Sequence, residues 1–157
     1  MPYKRIDTAI RAAAKLGVPL KIVGTGPDED RLRAIQGHHV EFLGHVDDAT
    51  LRELYRGARA LVLPGEEDFG IAPVESMACG RPVVALARGG ACETVEHGVS
   101  GWLVEDEDGF AGAMAQVDDL PLSPAQLQER ASVFGVDRFE AAMAAVVSAT
   151  LERPHVW

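Results

Sequence analysis

The sequence is poor in cysteine and in positive charge, and each shortage excludes a class of protein. Its two cysteines are too few for the disulfide framework of a small secreted domain, so a reduced, cytoplasmic setting is expected. The net charge of −9 leaves no basic surplus for nucleic-acid phosphates or for an anionic membrane surface. We therefore expect neither nucleic acid nor a membrane among the partners of this protein.

Long apolar runs are also absent from the sequence. None approaches the roughly 18 consecutive apolar residues of a membrane-spanning helix. The first five residues are not followed by the apolar segment that is typical of a signal peptide. What is present is the composition of a globular protein, 47% hydrophobic and 25% charged. We expect the 157 residues to form one domain, residues 1–157, with a sizeable core.

Short apolar runs alternate with segments of helical periodicity along most of the chain. Helical spacing begins at Ile6 and stops at Gly17, a residue that commonly ends helices. The runs typical of strands lie at residues 20–23, 40–43, 60–63, 83–86 and 101–104. This alternation predicts an α/β fold with a Rossmann-like, doubly wound parallel sheet.

Helices are predicted between these strands and after the last of them. Two short ones are expected at residues 73–79, opened by Pro73, and around residues 93–96. From Glu107 onward the periodicity is helical throughout. The apolar residues of this last part that are predicted to face the core are Ala111, Met114, Ala115, Leu127, Phe134, Phe139 and Met143.

Two carboxylates, Glu67 and Glu75, stand on either side of a Gly/Pro loop that follows the apolar run 60–64. Open α/β sheets bind ligands at the carboxyl ends of their strands. The two carboxylates of this loop are therefore positioned to bind a polyhydroxylated ligand. Taken alone, the two acids also fit a plainer interpretation. Glu75 then stabilises the first turn of a helix through the helix dipole, and Glu67 is simply one of several acidic residues in a surface loop.

Other motifs do not indicate a cofactor or a metal. The Gly24-Thr25-Gly26 turn lacks the third glycine of a dinucleotide fingerprint, and acidic residues fill the helix start that follows it. Asp47 and the acid after it precede a helix as capping residues do. The two cysteines have no histidine or cysteine partners at ligand spacing. We expect no metal and no resident cofactor.

The stretch from residue 61 to residue 84 resembles the E-x7-E signature of retaining nucleotide-sugar glycosyltransferases of the large GT4 family. Five further stretches resemble family segments in the same order along the chain. These are Pro2 to Asp7 (PYKRID), Ile22 to Pro27 (IVGTGP), Val40 to Val46 (VEFLGHV), and Gly89 to Val95 with Gly98 to Val104 (GGACETV and GVSGWLV). The resemblance implies the carboxy-terminal, donor-binding domain of a GT-B enzyme, in which two Rossmann-like domains enclose the reaction.

The resemblance also implies roles for individual residues. Glu67 would hydrogen-bond hydroxyls of the transferred sugar, and Glu75 would hold the ribose hydroxyls of the nucleotide. Lys4 would neutralise the diphosphate leaving group, with Arg5 a weaker second, because stabilising charge on the departing oxygen is the largest contribution expected in such a site. The remaining expected donor contacts are the backbone amides around Phe69, Gly70 and Ile71, the base contact near Val46, and Glu93, which either approaches the donor or caps a local turn.

Two parts of the family's fold have no counterpart in this sequence. One is the acceptor-binding amino-terminal domain, so the isolated chain is expected to be inactive. The other is the strand that immediately precedes Lys4 in the family, which is central in the sheet order 3-2-1-4-5-6. Its loss leaves the strands at 20–23 and 60–63 with unpaired edges. The prediction is a split sheet, a gap filled by another chain, or a swapped dimer.

The activity that follows is transfer of a hexose from a nucleoside-diphosphate donor, GDP- or UDP-linked, to a hydroxyl acceptor with retention of configuration. The stretch from Asp68 to Glu75 resembles mannosyltransferases that use GDP-mannose. Two alternatives stay open. One is a non-catalytic nucleotide-sugar-binding module or subunit, and the other is a fragment of a nucleotide-sugar epimerase.

Overall fold

The computed structural model of the protein describes residues 2–152. The strands are β1 Leu20–Val23, β2 Val40–Gly44, β3 Leu61–Leu63, β4 Val83–Leu86 and β5 Gly101–Val104. The helices are α1 Ile6–Leu16, α2 Glu29–Ala34, α3 Asp48–Gly57, α4 Ile71–Ala78, α5 Ala91–Thr94, α6 Gly109–Ala115, α7 Pro124–Ala131 and α8 Val136–Glu152. Short 3-10 turns lie at Pro2–Lys4, Val117–Asp119 and Ser132–Phe134. The predicted domain, 1–157, extends past the described residues at residue 1 and at residues 153–157.

The strands form two parallel sheets. β1 pairs with β2, with Leu20 opposite Val40. β3, β4 and β5 pair in that order, with Leu61 opposite Val83 and Val83 opposite Gly101. Within residues 2–152 no strand lies between β1 and β3, so each keeps an unpaired edge. Of the three predicted arrangements, the single chain shows the split sheet.

The core lies on both faces of β4, which is buried along its whole length. Successive strand residues point to opposite faces of a sheet. Val84 and Leu86 therefore pack with side chains of α1 and α6, including Phe110. Val83 and Ala85 pack on the other face with side chains of α4, α5 and α7. Helices on both faces confirm the doubly wound α/β arrangement.

The smaller sheet is attached more loosely than the larger one. In the described chain, neither β1 nor β2 contributes a side chain to the two core clusters. A two-stranded sheet has little stability of its own in water. β3 belongs to the larger sheet, yet all three of its apolar side chains are only half-buried. β1, β2 and β3 therefore contain no fully buried residue, in contrast to β4 and β5.

Two helix starts differ from the sequence prediction. The predicted start of α4 is Pro73, but the helix begins at Ile71. Proline is tolerated there because the N–H groups of the first turn have no intrahelical partner. α5 also begins two residues early, at Ala91, directly after Gly90, whose carbonyl oxygen accepts the Thr94 hydroxyl at 3.1 Å.

Three residues predicted to face the core do not do so. Ala115 ends α6 and is exposed, and Phe139 and Met143 on α8 are 61% and 47% exposed. The periodicity of α8 is genuine, and its apolar stripe comprises Val136, Phe139, Met143, Val146, Val147 and Leu151. Its main contact within the described chain is the 3-10 turn Ser132–Phe134, and most of the stripe surface is left exposed there.

Candidate functional site

The loop between β3 and α4 brings two of the predicted site residues together. Glu67 is half-buried, and its Oε1 atom lies 2.6 Å from the Lys4 ammonium nitrogen. The side chain of Lys4 is 44% exposed and that of Glu67 is 22% exposed. A cation and a carboxylate therefore lie side by side, both partly exposed, at the carboxyl end of β3.

Gly65 explains why Lys4 can reach this loop from a distant part of the sequence. Gly65 is buried at the end of β3, and a Cβ built there would lie 2.6 Å from the Lys4 Cα and 2.7 Å from the Tyr3 carbonyl oxygen. A side chain would therefore collide with the 3-10 turn that carries Lys4. Glycine allows the two backbones to approach closely enough for the ion pair to form.

A second pair of glycines fixes the other side of the loop. The backbone N–H of Gly90 donates to the carbonyl oxygen of Glu67 at 2.8 Å. A Cβ on Gly90 would lie 2.2 Å from the Phe69 carbonyl oxygen, and one on Gly89 would lie 2.3 Å from the Glu67 carbonyl oxygen. The loop is thus held between the amino-terminal turn and the β4–α5 connection.

The loop leads into an open helix start. Gly70 is the residue before α4 and adopts a left-handed conformation, φ 74° and ψ 76°, without a side-chain cap. The N–H groups of the first helical turn therefore have no side chain to satisfy them. Ile71 is 65% exposed, and the Phe69 ring, 46% exposed, packs edge-on against Phe134 at a centroid distance of 6.1 Å. This surface offers backbone donors beside exposed apolar groups.

Glu75 lies one turn into α4 and is exposed to solvent. Its Oε2 atom accepts a hydrogen bond of 3.1 Å from the Tyr55 hydroxyl, which α3 supplies. Burial of the ring, followed by the negative charge of Glu75, raises the pKa of Tyr55, so its hydroxyl stays protonated and remains a donor. Sequence reasoning did not single out Tyr55, because no periodicity relates residues 20 apart on two helices.

The other predicted contacts are more scattered. Arg5 has a left-handed backbone, φ 49° and ψ 39°, and its guanidinium pairs with Glu107, which also binds Arg11 at 2.7 Å. Val46 is half-buried between β2 and α3. Glu93 is exposed on α5 and forms no ion pair with the part of the chain that is described. The structure thus joins Lys4 to Glu67 and directs Arg5 to another carboxylate.

The candidate site is an open surface rather than an enclosed cavity. A cavity of about 120 Å³ lies elsewhere, between α1 and α6, and is lined by Thr8, Arg11, Ala12, Lys15, Glu107, Asp108 and Ala111. No predicted site residue lines it. Across residues 2–152 no cluster of three potential metal ligands occurs. None of the helices described is both long and apolar enough to cross a bilayer.

Comparison with known proteins identifies the family. Residues 1–119 match the family described as glycosyl transferases group 1, and the chain belongs to this family. It is 35% identical over 146 residues to the D-inositol 3-phosphate glycosyltransferase of Mycobacterium avium, covering 83% of this chain and 34% of that protein. It is 39% identical over 108 residues to an uncharacterized glycosyltransferase of Methanocaldococcus jannaschii. That match covers 62% of this chain and 28% of the relative. The family resemblance seen in the motifs is confirmed.

Solved structures agree with this assignment. Sucrose-phosphate synthase from Thermosynechococcus elongatus superposes with a TM-score of 0.80 at 27% identity, covering 96% of this chain and 43% of that one. HepE of Anabaena, solved in complex with UDP-glucose, gives a TM-score of 0.75 at 27% identity. That match covers 95% of this chain and 46% of the HepE chain. The chain spans less than half the length of each of these relatives.

Proposed function

We propose that this chain binds the nucleotide-sugar donor of a glycosyltransferase. The observation that carries the proposal is the ion pair of Lys4 with Glu67, placed at the carboxyl end of β3 beside the uncapped start of α4. Ligands of open α/β sheets bind at this edge. A cation and free helix amides suit a diphosphate, whereas a carboxylate suits sugar hydroxyls.

Each residue then has a separate part of the donor to contact. Glu67 accepts hydrogen bonds from hydroxyls of the transferred sugar, and Glu75 accepts them from the ribose. The amides at Gly70 and Ile71 face the diphosphate, and Lys4 stabilises the negative charge that develops on it as the sugar departs. Val46 lies near the base of the same donor, and Glu93 lies near its sugar. Arg5 has a lesser role because its guanidinium is paired with Glu107.

The proposed reaction transfers a hexose to a hydroxyl acceptor with retention of configuration, and the donor is a co-substrate rather than a resident cofactor. Two observations bear on the donor's identity. The stretch from Asp68 to Glu75 favours GDP-mannose, whereas HepE was solved with UDP-glucose. The base and the sugar are therefore the first variables to measure. The free thiols of Cys79 and Cys92 support a cytoplasmic location.

We further propose that an acceptor-binding domain, or a partner chain that replaces it, completes the enzyme. Relatives are more than twice as long as this chain. In the described residues, the gap between β1 and β3 and the apolar stripe of α8 are both left uncovered. A strand in the gap would satisfy two open edges, and a second domain against α8 would bury its stripe. A swapped dimer of this chain is the alternative arrangement.

Binding assays on the 157-residue chain test the donor proposal. Calorimetry and thermal unfolding with UDP, GDP, UDP-glucose and GDP-mannose should reveal one preferred pair of nucleotide and sugar nucleotide. A ligand at 100 times its Kd should stabilise the native state by about 2.7 kcal/mol. If none of the four ligands raises the melting temperature of the folded chain, the proposal is wrong.

A matched pair of variants locates the sugar contact. Glu67→Gln should remove most of the affinity that the sugar nucleotide has over the free nucleotide. The free nucleotide should bind as it does to the wild type or slightly more tightly, because Lys4 then has no ion pair to break. Glu66→Gln, an exposed neighbour on the same loop, should change neither. Turnover with hydroxyl acceptors after adding a candidate partner domain then separates a transferase from a binding module. Recovery of an epimerised donor would instead favour the epimerase alternative.

A further inference from the structure

We propose that Tyr55 is a positioning residue for the nucleotide site, holding the Glu75 carboxylate in the orientation that accepts the ribose hydroxyls. This inference rests on the proposed role of Glu75 as the ribose contact. Its geometric basis is the 3.1 Å hydrogen bond from the Tyr55 hydroxyl to Glu75 Oε2. The bond leaves Oε1, and the second lone pair of Oε2, for a ligand.

An exposed glutamate needs such a partner if it is to bind a ligand well. Glu75 is exposed on α4, and a free glutamate side chain has several rotamers of similar energy. Fixing one of them when a ligand binds costs affinity, and a side chain that is already held avoids that cost. Tyr55 offers a rigid support because its ring has few rotamers and is half-buried.

The helix that carries Tyr55 is itself fixed at both ends. At its start, the Asp47 side chain accepts the backbone N–H of Thr50 at 2.8 Å. At its end, the Arg81 guanidinium donates to the carbonyl oxygen of Arg56, the residue after Tyr55. Arg81 lies in the connection between α4 and β4, and its backbone N–H donates to the carbonyl oxygen of Ser76 on α4 at 2.9 Å. α3 is therefore tied to the helix that carries Glu75. The hydroxyl is therefore held at a set position relative to α4.

The Tyr55 hydroxyl can donate to the Glu75 carboxylate both before and after a ribose binds. The phenol stays protonated because burial and the neighbouring carboxylate both raise its pKa, so it donates to Glu75 at any pH at which the protein works. A ribose hydroxyl donates as well, and a carboxylate accepts several donors at once. Tyr55 and the ribose therefore do not compete for Glu75.

A thermodynamic cycle that combines one protein change with one ligand change tests this role. The protein change is Tyr55→Phe, which removes only the hydroxyl, and the ligand change replaces the preferred nucleoside diphosphate with its 2′,3′-dideoxy form. Calorimetry on the 157-residue chain gives the four Kd values. We expect Tyr55→Phe to weaken the ribonucleotide by about 2- to 10-fold and the dideoxynucleotide by less than twofold.

Controls separate positioning from a general structural effect. Tyr3→Phe removes the hydroxyl of the other tyrosine in the chain and should leave the ratio of the two affinities unchanged. Glu75→Gln should reduce that ratio at least as much as Tyr55→Phe does, and the double variant should add little further. Thermal unfolding of each variant verifies that it is folded.

The outcomes distinguish this inference from the function on which it rests. If wild-type chain binds neither nucleotide, the donor proposal fails and this inference fails with it. If the wild type prefers the ribonucleotide and Tyr55→Phe keeps that preference in full, Tyr55 has no positioning role although the donor proposal stands. Equal weakening of both ligands by Tyr55→Phe also overturns the inference, because it indicates a structural effect.

Discussion

The Lys4 ammonium and the Glu67 carboxylate lie 2.6 Å apart although 63 residues separate them in the chain. In the proposed function they contact different parts of one donor, so the pair must separate when the donor binds. The pair is partly exposed, and exposed ion pairs contribute only about 0.2–1 kcal/mol, which a diphosphate contacting Lys4 readily offsets. The pair thus compensates two opposite charges at little cost to donor binding.

The first prediction concerns the charge of Lys4. Lys4→Met should weaken the binding of a nucleoside diphosphate by about 10- to 100-fold, because a charge-assisted hydrogen bond worth about 1.5–3 kcal/mol is lost. The corresponding nucleoside, which has no phosphate, should bind almost as it does to the wild type. Lys21→Met on β1, where the ion pair with Glu41 is 3.8 Å long, is the control. Equal loss for nucleoside and diphosphate would show that Lys4 does not contact the phosphates.

The second prediction concerns the support of the acidic loop. Gly90→Ala places a Cβ 2.2 Å from the Phe69 carbonyl oxygen, so the loop must move. We expect a loss of about 1–3 kcal/mol in the free energy of unfolding, measured with urea, together with weaker donor binding. The control is Gly112→Ala in α6, where nothing lies within 4 Å of the new methyl group. That change should stabilise the chain by about 0.5–1 kcal/mol through helix propensity.

The third prediction concerns pH. Hydrogen bonds from the Thr50 side chain and from its backbone N–H hold the pKa of Asp47 below the ordinary value of 3.8. The unfolded chain therefore takes up a proton at higher pH than the folded chain, and this contribution, present above about pH 4, is lost as the pH falls through the folded pKa. The melting temperature of Asp47→Asn should depend less on pH between 2 and 5 than that of the wild type. Asp48→Asn also removes one negative charge but leaves the cap intact, so it is the matched control.

The fourth prediction compares two phenylalanines of opposite burial. Phe110 is fully buried, so Phe110→Ala should lower the free energy of unfolding by about 3–5 kcal/mol. Phe139 on α8 is 61% exposed, so Phe139→Ala should change it by less than about 0.5 kcal/mol in the same chain. A large loss for Phe139→Ala would reveal that α8 packs against a surface in solution, and sedimentation would then show whether a second copy supplies it.

Much of the fold could be predicted from local patterns alone. The bounds of α1, β1, β4 and β5 agree with the sequence prediction. The apolar patterns of α1 and β1, for example, each end directly before a glycine, Gly17 and Gly24. Burial in α8 was not predictable in this way. Periodicity shows which side chains form a stripe, but whether Phe139 is covered depends on what packs beside it.

Some residues of the candidate site could also be predicted from the sequence, and others could not. Glu67, Glu75 and Lys4 could be selected from the sequence because their residue types and motifs resemble a known family. The Tyr55 partner of Glu75 and the Glu107 partner of Arg5 carry no such signal, since each pair joins elements far apart in the chain.

By itself, the sequence determined the order of helices and strands, the family and the acidic loop, because these depend on residues near one another along the chain. Only the tertiary structure decided which side chains meet. The contact of Lys4 with Glu67 requires two backbones to approach closely, and the absence of a Cβ at Gly65 permits that approach. Gly90 permits the equally close approach of the β4–α5 connection to the other side of the loop.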